Sequence, residues 1–220
     1  MADMAENNDV VIRKFSAKDR VQVRRISCET AFLGAGHDCF CDDEEVLADA
    51  LTLYFTDYEP ESGFVAVSGE GVVGYLIGAR DTARMEKIVN SKIVPGLIGK
   101  IFRKGLLRRQ VNRTFLAHLL LSIFRGEFFA PDVNRQYPAI LHINIDAQYR
   151  GLHIGTRLIE RYVELLREQN IKGVHCGTMS DAAKEFFRKQ GFSVLSTGRR
   201  TYLRYCLGKI VPFYLLGKRL

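Results

Sequence analysis

Changes in the rhythm of apolar and polar positions mark the elements of this chain. Val10 to Phe15 (VVIRKF) has the short alternation of a strand, and Ser16 followed by AKDR is an N-cap with Asp19 at the third helical position, which predicts a helix running toward Phe32. Val21, Ile26 and Phe32 give that helix a modest apolar stripe, and Gly34 and Gly36 end it. Asp42 and Asp43 cap a second helix, in which Val46, Leu47, Ala50, Leu51, Tyr54 and Phe55 recur at helical spacing up to Tyr58-Glu59-Pro60. Two strands follow, Gly63 to Ser68 and Val72 to Gly78, and the Gly69-Glu70-Gly71 connection predicts a hairpin.

Residues 82–130 break this rhythm. Met85, Ile88 and Val89, then Ile98, Ile101 and Phe102, then Phe115, Leu116, Leu119, Leu120 and Ile123 predict two or three short helices interrupted at Pro95-Gly96 and Gly105. They read as a helical insertion within one domain spanning 1–220. After Pro131 the chain gives strand (Ala139 to Ile145), helix (Gly155 to Gln169), strand (Gly173 to Thr178), helix (Asp181 to Gln190) and strand (Phe192 to Thr197). That alternation predicts an α/β fold with parallel pairing in this half, Arg200 to Leu207 as one last strand, and a tail, 208–220, that docks on the body or helps a homodimer form.

Composition adds limits. A content of 47% hydrophobic residues in 220 suffices for a buried core. The N-terminus MADMAENNDV has no secretory pattern, and no apolar stretch approaches the roughly 20 residues of a membrane span, so a cytoplasmic protein without a transmembrane segment is expected. Five cysteines, with Cys39 and Cys41 too close for a usual zinc knuckle, predict reduced thiols and no metal. The net charge of +7 is concentrated in the middle, where Arg80 to Glu127 carries eleven Lys or Arg against three acidic residues, while Asp38 to Glu70 is acidic. A basic face of this kind suits nucleic acid, anionic lipid, a phosphorylated small molecule or plain solvation, and it identifies no specific nucleic-acid partner.

The chemistry concentrates in Tyr137 to Thr156 (YPAILHINIDAQYRGLHIGT), an apolar strand running through a Gly-bearing turn into an amphipathic helix. A helix N-terminus offers unpaired N–H groups and a partial positive charge, and Gly151 and Gly155 allow close backbone approach, so the turn suits a phosphate or pyrophosphate. The glycine spacing excludes the dinucleotide fingerprint. Strand alternation sets Leu141, Ile143 and Ile145 on one face and His142, Asn144 and Asp146 on the other, with His175 in the neighbouring strand. Imidazoles titrate near neutrality, so His142 or His175 is a candidate base, with Asn144 beside them. Asp57 and Glu59, in the acidic TDYEPE turn, are candidates for binding a cationic acceptor.

Arg150-x-x-His153-x-Gly155 resembles the Q/R-x-x-G-x-G/A acyl-CoA signature of the GNAT acetyltransferase superfamily, and Ala183-x-x-Phe186-Phe187-x-x-x-Gly191-Phe192 resembles the family's N-x-x-A-x-x-F-Y-x-x-x-G-F. LHINI and GVHCGTM are also similar to strands of the acetyltransferase-like domain of O-GlcNAcases and its stand-alone bacterial relatives. The resemblance implies a mixed central sheet flanked by helices, with the fourth and fifth strands splayed around acetyl-CoA as co-substrate. It implies contacts from Ile143, Ile145, Arg150, Gly151, Leu152, His153, Ile154, Gly155, Thr156, Ser180, Ala183, Phe186 and Phe187. The implied activity is N-acetyl transfer to a primary amine of a small molecule or peptide by direct attack in a ternary complex. Three positions depart from the pattern: His153 replaces a glycine, Ser180 stands where Asn is common, and Phe187 stands where a Tyr is credited with protonating the CoA sulfur. The last departure keeps a second reading open, a CoA-binding pseudoenzyme with a regulatory or interaction role.

Overall fold

A computed structural model describes residues 10–34, 41–69 and 71–220. Gly36, Cys39 and Glu70, on which parts of the expectations above rest, lie outside the described residues, as does the N-terminal segment.

β1 (Val10–Lys14) runs into a 3₁₀ turn at Ala17–Asp19 that opens α1 (Arg20–Thr30). The expected cap forms: the Asp19 carboxylate accepts from the backbone N–H and the hydroxyl of Ser16, both at 2.9 Å, and is also gripped by Arg13. α2 (Glu44–Asp57) starts where Asp43 accepts from the Val46 N–H. β2 (Phe64–Ser68) and β3 (Gly71–Ala79) pair antiparallel, as the short Gly-containing connection requires.

The insertion is α3 (Thr82–Ile88), a π-turn at Val89–Ile93, α4 (Val94–Arg103) and α5 (Gln110–Phe124). No break occurs at Pro95. The wide turn lets the Val94 N–H reach the Val89 carbonyl, so the proline, which has no N–H to give, falls in the first turn of a new ladder. The break at Gly105 is present, in a left-handed conformation at φ 63°.

β4 (Ala139–Ile145), α6 (Ile154–Glu168), β5 (Gly173–Thr178), α7 (Asp181–Lys189) and β6 (Ser193–Arg200) follow the expected order. The end of the chain does not. Residues expected as a last strand turn into a short helix, α8 (Arg204–Leu207), and the tail becomes β7 (Val211–Arg219), a strand inserted between β5 and β6 and antiparallel to both. The seven-stranded order is therefore β1-β2-β3-β4-β5-β7-β6, and β4–β5 is its parallel pair. The tail's apolar run is explained by this central position: Leu215 and Leu216 are buried.

One core lies between the sheet and α6 with α7, built on Leu76, Leu141, Leu158, Tyr162 and Phe187; the other packs α1 on the opposite face through Val23, Ile26, Tyr75 and Ile77. Tyr162 fixes α6 by donating to the Ile140 and Ala79 carbonyls at 3.0 and 3.2 Å, in space that a side chain at Gly78 would fill.

Part of the charge asymmetry resolves inside the molecule. Lys100 pairs with Glu45 and Asp49, Lys104 with Asp43 and Glu45, and Arg109 with Asp42, so the acidic start of α2 neutralises these three cations of the insertion. At its other end α5 packs through Phe115 on Phe32 and Tyr202, and His118 stacks on Tyr205. Cys28, Cys41 and Cys176 are free thiols, but Cys206 is disulfide-bonded, so the expectation of wholly reduced cysteines fails there.

Candidate active site

The parallel pair is where the sheet opens. β4 pairs with β3 from Ile140 through Ile145, but with β5 only at Ala139↔Val174 and Ile140↔His175. Beyond Ile140 the two strands part, and β5 continues against β7 instead. The Asp146 N–H bonds to the Val73 carbonyl across the β3 ladder at 2.9 Å. Alternate residues of a strand bond to opposite sides, so the amides of Ile143 and Ile145 face the gap. Backbone groups left facing such a gap favour a ligand that pairs with them.

At the wide end of the gap lies the turn into α6. Asp146 accepts from the Gln148 N–H at 3.2 Å, and Arg150 Nε donates to the Ile145 carbonyl at 3.2 Å. Gly151 (φ 85°) and His153 (φ 55°) both adopt left-handed backbone, the latter as the N-cap of α6. His153 thus keeps the turn by taking the conformation a glycine takes, at a cost of about 1–2 kcal/mol for a residue with a side chain. The first amide to find a helical acceptor is that of Arg157, on the His153 carbonyl at 3.2 Å; the N–H groups of residues 151–156 have no acceptor among the described residues. Added to the helix dipole, this row of donors is an anion cradle.

Gly155 is required by packing. A Cβ there would lie 2.9 Å from Phe186 Cζ and 3.2 Å from Ile145 Cδ1. The turn is therefore seated on both β4 and α7, which joins the two sequence motifs. Ser180 caps α7, its hydroxyl accepting from the Ala183 N–H at 3.3 Å. Phe187 points into the core against Phe192, with ring centroids 5.3 Å apart, and contributes no hydroxyl to the gap.

On the α1 face of β3 and β4, Tyr75 stands opposite Asn144, and Ile77 opposite His142. Asn144 Nδ2 donates to Tyr75 Oη at 2.8 Å and lies 3.1 Å from His142 Nε2. His142 is half-buried as a residue, its ring is set deep among protein atoms, and desolvation pushes its pKa down to about 4. Burial likewise pushes the Tyr75 phenol up to about 12. The three side chains form a neutral polar chain just past the point where β4 and β5 part. Tyr75 was not singled out by the sequence; its partnership depends on the β3–β4 register, which no local pattern specifies.

His175 sits at the closed end. It is buried, its Nδ1 lies 2.8 Å from the Tyr137 carbonyl, and burial lowers its pKa. The ring ties the approach to β4 onto β5. Asp57, at the end of α2, and Glu59, in the turn after it, both have partners within the chain. Glu59 is buried and accepts from Tyr54 (2.9 Å), Ser62 (2.7 Å), and the Arg80 N–H and Nε (both 2.8 Å), while Asp57 pairs with Arg20 at 3.1 Å and accepts from Thr56. Glu59 is thus spent within the fold, while the Asp57 side chain keeps about a third of its surface open beside Arg20. Among the described residues no group of three or more His, Cys, Asp or Glu gathers as metal ligands would.

The fold and cleft define an acetyltransferase of the GNAT type. The Acetyltransferase (GNAT) family model matches residues 33–192, and the chain belongs to that family. Solved structures agree in fold. The crystal structure of SsHAT is 21% identical with a TM-score of 0.67, covering 96% of this chain and 98% of that one. The Drosophila melanogaster polyamine N-acetyltransferase that forms N-acetylagmatine is 17% identical, with a TM-score of 0.58 over 96% of this chain and all (100%) of that one. YncA, a putative acetyltransferase from Salmonella typhimurium solved with its cofactor acetyl-CoA, is 13% identical, with a TM-score of 0.58 over 97% of this chain and 95% of that one.

Proposed function

We propose that this protein is an acetyl-CoA-dependent N-acetyltransferase acting on a primary amine of a small molecule or peptide by direct attack in a ternary complex. The observation that carries the reading is the parting of β4 from β5 after Ile140, directly before the free amides of residues 151–156. Those amides and Arg150 hold the anionic end of the cofactor, and the amides of Ile143 and Ile145 line its path. Bound acetyl-CoA supplies a thioester acyl group. The amide of Ile145 is aimed to polarise a carbonyl in the gap, as preorganised donors do for developing oxyanions.

His142 is the base in this reading. It is neutral at pH 7, and Asn144 and Tyr75 hold its ring in place. The acceptor reaches the gap as the free amine, having lost its first proton to solvent. As its nitrogen bonds to the acyl carbon and becomes acidic, His142 Nε2 exchanges its contact with Asn144 for that second proton and passes it through water to the departing CoA thiolate as the C–S bond breaks. The insertion, held to α2 and to Tyr202, walls the acceptor side. The closer kinship with the O-GlcNAcase acetyltransferase-like domain rests on LHINI and GVHCGTM and belongs to this proposal, as does a cytoplasmic location. The buried, hydroxyl-free Phe187 favours a second reading, a CoA-binding pseudoenzyme, because the family's usual proton donor to sulfur is missing. Free thiol followed with acetyl-CoA and an amine library separates the two: acceptor-dependent release supports the enzyme, and tight CoA binding without release supports the pseudoenzyme.

A further inference from the structure

Ten of the sixteen exposed large apolar side chains among the described residues fall between Val94 and Phe129. Val94, Ile98 and Phe102 recur every fourth residue along one face of α4, and Phe124 and Phe129, at the end of α5, are 86% and 90% exposed. From Lys87 to Gly126 the sequence contains no Asp or Glu. Lys100, Lys104 and Arg109 are neutralised by α2, which leaves Lys87, Lys92, Arg103, Arg108, Arg113 and Arg125 without a carboxylate partner among the described residues.

We infer that the insertion is a docking surface for an anionic lipid membrane. Apolar rings standing in water beside uncompensated cations match a headgroup layer, where the rings enter the acyl boundary and the cations meet lipid phosphates. A second copy of this chain fits poorly. It also carries a net charge of +7, and symmetric pairing through this face would set cation against cation. Nucleic acid would satisfy the cations but leave Phe124 and Phe129 unexplained. α5 has 15 residues, and no helix among the described residues is long and apolar enough to cross a membrane, so the segment lies in the interface plane.

The test is flotation of the full chain with vesicles of phosphatidylcholine alone and with about one-third phosphatidylglycerol, at low and high salt. The protein should float with the anionic vesicles, and less so as salt rises. F124S/F129S should lower the partition coefficient at least about tenfold. R103Q/R108Q should lower it about fivefold per cation. Unchanged melting temperatures establish that both variants fold. The inference is overturned by no flotation, by equal flotation on neutral vesicles, or by a folded F124S/F129S variant that partitions like the parent. It is overturned equally by a sedimentation run showing a dimer that F124S/F129S dissolves, or by tighter binding to single-stranded RNA than to vesicles.

Discussion

Gly155 and Phe186 stand so close that a Cβ on the glycine would lie 2.9 Å from Cζ of the ring. This contact seats the turn before α6 on α7, and it makes a specific demand. Gly155→Val should lower stability by about 1–3 kcal/mol through overpacking. In the protein that remains folded, acetyl-CoA affinity should fall at least about tenfold as the turn lifts from β4. Thermal melting and titration calorimetry read the two effects separately.

His153 holds φ at 55° with a full side chain. Replacing it with glycine removes about 1–2 kcal/mol of left-handed strain but adds roughly 0.5–1 kcal/mol of unfolded-chain entropy. His153→Gly should therefore be as stable as the parent or up to about 1.5 kcal/mol more stable, with acetyl-CoA binding unchanged or tighter. A severe loss of affinity would make the imidazole a ligand contact and contradict a turn that works through its backbone. His153→Val should destabilise, since a branched side chain tolerates this conformation least.

Burial sets the pH behaviour of His142. Its folded pKa, pushed down to about 4, lies below its ordinary value of 6.5, so the unfolded chain takes up a proton that the native state refuses. Stability is complete above the unfolded value and declines as pH falls from 6.5 toward 4, by about 3 kcal/mol in all. His142→Gln should flatten that decline in a denaturation series. The same variant should lower kcat about 10²-fold or more with acetyl-CoA affinity unchanged. Rate profiles of the parent should show no limb near pH 6.5 from this ring.

Glu59 tests the fold against the acceptor role expected of it. Burial raises the carboxyl's pKa, but donors from Arg80, Ser62 and Tyr54 outweigh it and leave the group below its usual range. Its stabilisation is present above the unfolded pKa and is lost as pH falls through the folded one. Glu59→Gln should cost about 1–3 kcal/mol, because Arg80 loses its buried carboxylate and keeps only exposed Glu61. In the folded fraction the KM for the amine acceptor should not move.

Much of this was legible in the chain. Each strand up to β5 and each long helix follows a local period, and the two motifs around Gly155 and Phe186 carry the cleft because short-range geometry makes it. The C-terminal third was harder. The run VPFYLLGKR has the apolar content of a strand, but nothing local says that it inserts between β5 and β6; sheet order is a long-range choice. Tyr75 was missed for the same reason, since its link to Asn144 exists only in the paired register. The basic middle misled by its sum: its charge is partly spent on Asp42, Asp43, Glu45 and Asp49, neighbours only after folding. The burial of Glu59 was not legible either, because an acidic turn looks the same in sequence whether its carboxylates face solvent or Arg80.

The central claim is that the opening between β4 and β5 performs acetyl transfer. The direct measurement is thiol release from acetyl-CoA in the presence of a broad amine library, run with the parent protein and with His142→Gln. Release that requires an acceptor, and that His142→Gln suppresses without loss of acetyl-CoA binding, is the predicted result. Tight acetyl-CoA binding with no acceptor-dependent release, or full activity in His142→Gln, would contradict it.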